Sequence, residues 1–368
     1  MSYYFLFFAV FGVMTIAFMM TEKSNKDNTR GKNKTYLIFS GVYFVLLMGL
    51  RAEYVGTDTS MYGNIFSIFG QTPMLSEVAV SLSGQFLYRL FSKAIFIIFD
   101  GSYQWMLVFS AIIVILGVFR FIYYTSENFY LSVFLFILLW FFFESWNASR
   151  QYLALAIGLN SVVEFNRSNK KVAVILFVLA VLMHNTAAVL FIYFLIYRIK
   201  WTKAKMIIFF AACFVGTLFY SHFVVLFANY SPRYAALYSS YVAESLITME
   251  AQGRKMLISI SYLMILLAAL LFLDKKELDK GMISLWLLSA IVIIEIVIGI
   301  VMPNDVLALR VQTYFSIFVI SVIPNVMKEM KLSSYSIIPV AIYFVPFYIN
   351  LSENRSGILP YISFWTTY

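Results

Sequence analysis

Ten nearly continuous apolar stretches dominate the chain, at residues 3–20, 35–50, 103–124, 129–144, 149–165, 204–227, 256–273, 282–301, 311–327 and 334–350, with the charges bunched between them. Crossing the roughly 30 Å hydrocarbon layer of a bilayer takes about 20 apolar helical residues, and about 17 to 25 are tolerated. The 368 residues are 62% apolar and 12% charged, against roughly 45–50% and about 25% in a soluble domain. A soluble chain of this length could not hide so much apolar surface, because the buried fraction rises only slowly with size. The sequence predicts an all-α polytopic membrane protein and excludes a soluble enzyme.

Two further stretches complicate the count. Residues 85–99 carry Arg89 and Lys93 on an apolar background, and 172–197 is long for one span and short for two, with His184 and Asn185 at its midpoint. Two topologies follow, both with the termini on one side of the membrane. In the first, 85–99 lies in the outer interface and 172–197 forms a pair of short or re-entrant segments. In the second, 85–99 spans and 172–197 is one long helix. Cytoplasmic loops are enriched in Lys and Arg, and the first topology places 18 of the 27 basic residues inside. It is preferred, and it gives about 12 membrane segments in a single integral domain over 1–368, with longer periplasmic segments at 51–102 and 228–255. The basic residues near the N-terminus follow the apolar run 1–20 rather than precede it, opposite to a secretory signal. A retained first helix with an outer N-terminus is expected.

Residue type separates the two sides further. Inside, 14 of the 18 basic residues are Lys; outside, Arg51, Arg89, Arg150, Arg233, Arg254, Arg310 and Arg355 make 7 of 9. Lysine is a solvated point charge suited to a topology signal, whereas the planar fork of arginine suits bidentate phosphate or carboxylate recognition. Arg89, Arg254 and Arg355 can equally snorkel to lipid headgroups. Arg51, Arg150 and Arg310 lie among polar residues at helix ends. The net charge of +9 forms no continuous basic groove, so nucleic acid is not an expected partner. Cys213 stands alone in an apolar run, and His184 and His222 are too few for a metal cage.

Four outer constellations and the C-terminal tail can carry chemistry. In Arg51-Ala-Glu53-Tyr54-Val-Gly56-Thr57-Asp58-Thr59-Ser-Met-Tyr62, Gly56 permits a tight turn and Asp58 or Thr57 can cap the next helix, and Arg51 and Tyr62 can converge. Glu144-Ser-Trp146-Asn147-Ala-Ser-Arg150-Gln151 gathers polar groups at a membrane boundary, which is expensive unless they pair or face a wet cavity. A helix starting near Asn147 would add its positive end to Arg150, favouring an anion. His184-Asn185-Thr186 sits inside apolar sequence, either as a satisfied core histidine or at a functional break. Pro303-Asn304-Asp305 precedes Arg310 and Tyr314, which share a helical face at i, i+4, and Glu295 falls in the span before them. The tail, Gly357 to Trp365, is aromatic and suits an interfacial belt or a platform for sugars.

Together these residues resemble the EpsG family of Wzy-like polysaccharide polymerases. The likeness runs from about residue 35 to the C-terminus. It rests on Leu50-Arg51 through Val55-Gly56-Thr57-Asp58-Thr59 and Tyr62, Asn147 to Arg150-Gln151 with Ala154 and Ala156, Lys170-Lys171 before His184-Asn-Thr-Ala187, Arg310 with Tyr314, and Pro360-Tyr361. Gly84-Gln85-Phe86 departs from it, since an acidic pair such as Glu-Pro is expected before the aromatic. The resemblance implies a GT-C-like or Wzy-like helical fold with periplasmic termini in a bacterial inner membrane. It also implies glycosyl transfer between undecaprenyl-pyrophosphate-linked oligosaccharides, alongside a flippase and a chain-length regulator of the same pathway. On that basis Arg51, Arg150 and Arg310 are expected to bind pyrophosphate, Tyr62, Gln151 and Tyr314 the sugars or acceptor, and His184, Asp58 or Glu144 to act as base or orient the acceptor. No metal or other cofactor is required, because arginines can take the cation's place. Two rival classes remain. A flippase for lipid-linked oligosaccharides should show repeat symmetry and a basic path across the membrane. A glycan ligase or acyltransferase is the other, and an acyltransferase should depend on His184.

Overall fold

The computed structural model describes residues 2–24, 29–76, 85–219, 222, 249–278, 282–302 and 306–366. Their regular structure is helical; an isolated antiparallel bridge between Arg51 and Ser363 is the sole extended pairing among them. The chain forms two compact units, one of Met1–Ala188 with Ile338–Tyr368 and one of Val189–Ile337.

The first unit runs through α1 (Ser2–Ser24), α2 (Thr29–Gly49), α3 (Thr59–Gln71), α4 (Phe86–Ile98), α5 (Tyr103–Thr125), α6 (Phe129–Leu138), α7 (Phe141–Asn147), α8 (Ser149–Asn166) and α9 (Lys170–Met183). Its core is the pairing of α5 with α2 on one side and α8 on the other, with α9 laid along α8. Close approach of α5 and α8 depends on Gly117, where a Cβ would stand 2.7 Å from the Cβ of Ala156 and 3.0 Å from its carbonyl oxygen. Asn160 holds the crossing by donating to the carbonyls of Gly117 and Ala156, at 3.2 and 2.7 Å. One turn on, Glu164 accepts from Arg120, from Arg167 at 2.9 Å and from Asn169 at 2.5 Å. Asn160 and Glu164, which α8 carries into this apolar packing, therefore have partners, as burial requires.

The expected span at 129–144 is broken. Helices α6 and α7 bend by 49° at Trp140, whose backbone is left-handed at φ 71°. Such a conformation costs a bulky residue about 1–2 kcal/mol, and the indole compensates by donating to Ser356 Oγ at 2.9 Å. Residues 85–99 form a helix of 13 residues with Tyr88, Arg89, Ser92 and Ile95 buried on one side. At 1.5 Å per residue it is about 20 Å long, too short to cross the hydrocarbon layer alone. The 172–197 stretch breaks where the polar pair sits: α9 ends at Met183, His184 is extended at φ −155° and ψ 119°, and a 3₁₀ turn starts at Asn185.

The second unit comprises α10 (Phe191–Ile196), α11 (Lys203–Leu218), α12 (Met249–Phe272), α13 (Lys275–Leu278), α14 (Leu285–Val301), α15 (Val306–Ser316) and α16 (Val319–Glu329). Its centre is α14, largely apolar and buried, which α11, α12 and α15 flank. Gly299 lets α12 and α15 close on α14, since a Cβ there would collide with Ser259 and Gln312. Beside it the buried Glu295 accepts from Ser259 and Gln312, both at 2.9 Å. The last helix, α17 (Ile337–Ser352), returns to the first unit.

Four helical stretches among the described residues are long and apolar enough to cross a membrane, at 103–125, 253–272, 308–329 and 333–352. The bent pair α6 and α7 makes a fifth, and shorter apolar helices occur at 7–20, 34–49, 185–196 and 285–301. The part of the expected 204–227 span beyond 219 other than His222, most of the 228–255 segment including Arg233, and Pro303-Asn304-Asp305 lie outside the described residues.

Candidate active site

Three separate sequence elements meet at one end of the first unit: the loop after α2, the α7–α8 junction, and the C-terminal tail. The tail runs beside the loop through Ala52 N to Ile362 O at 2.8 Å, Phe364 N to Leu50 O at 3.0 Å, Gly56 N to Gly357 O at 2.8 Å and Thr57 N to Ser356 O at 3.1 Å. Asn147 joins all three, donating to Ser356 O at 2.9 Å and accepting from Asp58 N at 3.3 Å. Gly56 makes this possible: at φ 111° it adopts a backbone that side chains disfavour, and a Cβ would lie 2.5 Å from Thr59 Oγ1 and 2.7 Å from Asn147 Oδ1. Tyr361 fastens the tail from beneath by donating to Leu47 O at 3.1 Å. Burial pushes its phenol up to about 12, a shift that the nearby Arg51 charge reduces.

Arg51 is 2% exposed and lies inside this clasp. Its guanidinium donates to Met48 O, to Val55 O at 3.3 Å and to Trp146 O at 3.2 Å, and it stacks over the Trp146 ring at 5.2 Å. Arg150 is placed differently. Half-buried on the first turn of α8, it lies over the faces of Tyr62 and Tyr88 at 5.3 and 5.7 Å and donates to Gln85 Oε1 at 3.3 Å. Gln85 is the residue just before α4, and Arg150 is the second residue of α8; neither helix has a side-chain cap. Each helix N-terminus has backbone N–H groups lacking intrahelical acceptors and a partial positive charge, and the Arg150–Gln85 side-chain contact links residues at the two.

One turn further along α4, Arg89 is 4% exposed. Its Nε and Nη1 are buried and have no hydrogen-bond partner among the described residues. It is enclosed by protein, so it does not snorkel to headgroups.

The remaining candidates belong to several elements of the two units. Asp58 precedes α3, half-buried, with no side-chain capping bond. Glu144 accepts from Tyr152 at 3.1 Å, Tyr62 and Gln151 are buried, and His184 Nδ1 is 2.5 Å from Thr186 Oγ1 at the end of α9. Arg310 and Tyr314 lie one turn apart on α15 of the second unit. The sequence pattern singled out neither Gln85 nor Tyr88 as a site residue. Gln85 had shown only as a departure from the family pattern, and Tyr88 carries no local signal. Among the described residues no group of three or more His, Cys, Asp or Glu side chains is placed to hold a metal ion.

Residues 34–363 match the family model described as the EpsG family. No curated protein and no solved structure matches the chain.

Proposed function

From the premise that the chain belongs to the EpsG family and is a membrane protein of polysaccharide biosynthesis, we propose that it polymerises undecaprenyl-pyrophosphate-linked oligosaccharides. In this reading it sits in a bacterial inner membrane with about 12 membrane segments and both termini periplasmic. The acceptor is the non-reducing end of the next lipid-linked unit. Its hydroxyl oxygen attacks the anomeric carbon of the growing chain. The bond from that carbon to the pyrophosphate oxygen breaks, the polyprenyl pyrophosphate leaves with the electron pair, and the hydroxyl proton passes to a base.

The gathering of Tyr62 from α3 and of Gln85 and Tyr88 at the start of α4 around Arg150 carries this proposal. The leaving group accumulates negative charge in the transition state, and a preorganised guanidinium at two helix N-termini stabilises it where water is scarce. The tyrosine faces beneath Arg150 orient the fork and offer surface for a sugar. Arg51 acts by positioning, since each of its three nitrogens donates to a backbone carbonyl and together they fix the loop. Of the three base candidates Asp58 is favoured: it is half-buried before α3 and makes no side-chain capping bond, whereas Glu144 and His184 are bonded to Tyr152 and Thr186. The roles expected for Arg310 and Tyr314 rest on the sequence pattern and the resemblance.

Deleting the gene and resolving the surface glycan by gel electrophoresis tests the function. Single-repeat material in place of a ladder is the expected result. Complete loss of surface glycan would point to export, and an unchanged ladder would refute both readings.

A further inference from the structure

The helix α4 carries a feature that the proposed transfer does not use. Arg89 is almost wholly enclosed, yet Nε and Nη1 meet no acceptor among the described residues. A guanidinium stays charged at any physiological pH, so it cannot neutralise itself in response to burial. Leaving a buried charge uncompensated is among the most destabilising arrangements in a folded protein, and it persists where a ligand supplies the missing partner.

The surroundings identify the sign and shape of that ligand. Arg89 lies four residues after Gln85, which places the two on the same helical face, and Gln85 holds Arg150. The N-termini of α4 and α8, from which Gln85 and Arg150 reach one another, both lack a side-chain cap. Two guanidinium groups beside the N-terminus of α4 therefore concentrate positive potential along one turn of that helix. A single phosphate can engage one arginine fork; an anion with two linked phosphoryl groups can engage two.

We propose that Arg89 is a second binding residue for a diphosphate, seated with Arg150 across the N-termini of α4 and α8. Because this rests on the reading of polyprenyl pyrophosphate as the leaving group, its failure must be separable from failure of that reading. The α4 helix packs against α3, α5 and α9, so Arg89 also ties the occupied state to the packing of this short helix. Diphosphate binding should then stiffen α4 and its neighbours.

The test uses the full chain in nanodiscs of phosphatidylcholine, with farnesyl pyrophosphate as probe. Binding is measured by titration and the unfolding temperature is read with and without probe, for wild type, Arg89→Met and Arg89→Gln. Each variant should bind at least tenfold more weakly, while unfolding without probe at the wild-type temperature or above it, because an unpartnered charge has been removed. A merely structural Arg89 would instead lower the probe-free unfolding temperature, and that result in both variants overturns the proposal. Wild-type binding retained in the variants also overturns it and leaves the polymerase reading standing. No binding by wild type removes both. A probe-free unfolding temperature that depends on Arg89 only in phosphatidylglycerol nanodiscs, with probe affinity unchanged, would assign the guanidinium to a lipid headgroup and overturn the diphosphate.

Discussion

Replacing Arg51 by lysine separates a structural arginine from one that binds substrate. The native guanidinium donates to three backbone carbonyls, of Met48, Val55 and Trp146, and covers the Trp146 ring. Lysine offers one compact ammonium, and the three carbonyls are arranged for a planar fork, so at most one of these bonds survives. Hydrogen bonds to a charged group are each worth about 1.5–3 kcal/mol, and loss of the stacked contact adds about 0.5–2 kcal/mol. Water reaching the loosened loop recovers part of this, leaving a net loss of about 3–5 kcal/mol, a large share of the 5–15 kcal/mol typical of a folded domain. The assay is unfolding of purified Arg51→Lys in nanodiscs, with the glycan ladder scored in cells at reduced temperature. The variant should unfold well below wild type and regain part of its ladder in the cold. If it unfolds at the wild-type temperature and still makes no ladder, Arg51 touches substrate and the positioning role assigned here is wrong.

Arg150→Lys should show the opposite pattern, with near-normal unfolding and a polymerisation rate down by about 10²–10³, the usual effect of losing one preorganised donor; a full-length ladder made at the wild-type rate contradicts bidentate phosphate binding. Gly117→Val forces side-chain atoms against Ala156 and should destabilise by several kcal/mol, about the upper range for overpacking, read as loss of folded protein on extraction; normal yield and unfolding would mean that α5 and α8 can separate freely. Tyr361 has a raised phenol pKa in the fold, so the stability it contributes is complete below about pH 10, its ordinary value, and is lost as pH rises through about 12. Tyr361→Phe should therefore flatten the alkaline fall in unfolding temperature between those values, and an unchanged slope would show that burial of the phenol is not its source.

Periodicity and length made the long elements legible. The span expected at 103–124 is α5, Tyr103–Thr125, and the polar pair His184-Asn185 marks a real helical break because two such residues inside apolar sequence disfavour continuation in lipid. The same logic failed at Trp140. Nothing in Leu-Leu-Trp-Phe-Phe announces a left-handed residue, since its compensation, Ser356, lies 216 positions away. Arg51 illustrates the corresponding limit for the site. Arginine at an outer helix end reads as an anion ligand, but which acceptors fill its fork depends on carbonyls of Trp146 and Val55 that only the folded loop brings together. Arg89 shows the converse: on local pattern it could reach headgroups, and only the packing of α4 reveals that it is enclosed.

The pairing of residues 356–364 with 50–57 also has a meaning in time. Ribosomes release this chain from its N-terminal end, and at about 5–20 residues per second the loop that follows α2 waits roughly 15–60 s for the strand that completes it. During that interval the loop's amides, Asn147 and Ser356's future partner Trp140 lack their native acceptors or donors. Residues 356–364 thus act as a keystone for a loop made long before them. A chain interrupted before residue 356 would leave the loop's amides, Asn147 and Trp140 without these partners, and the clasp around Arg51 open on that side.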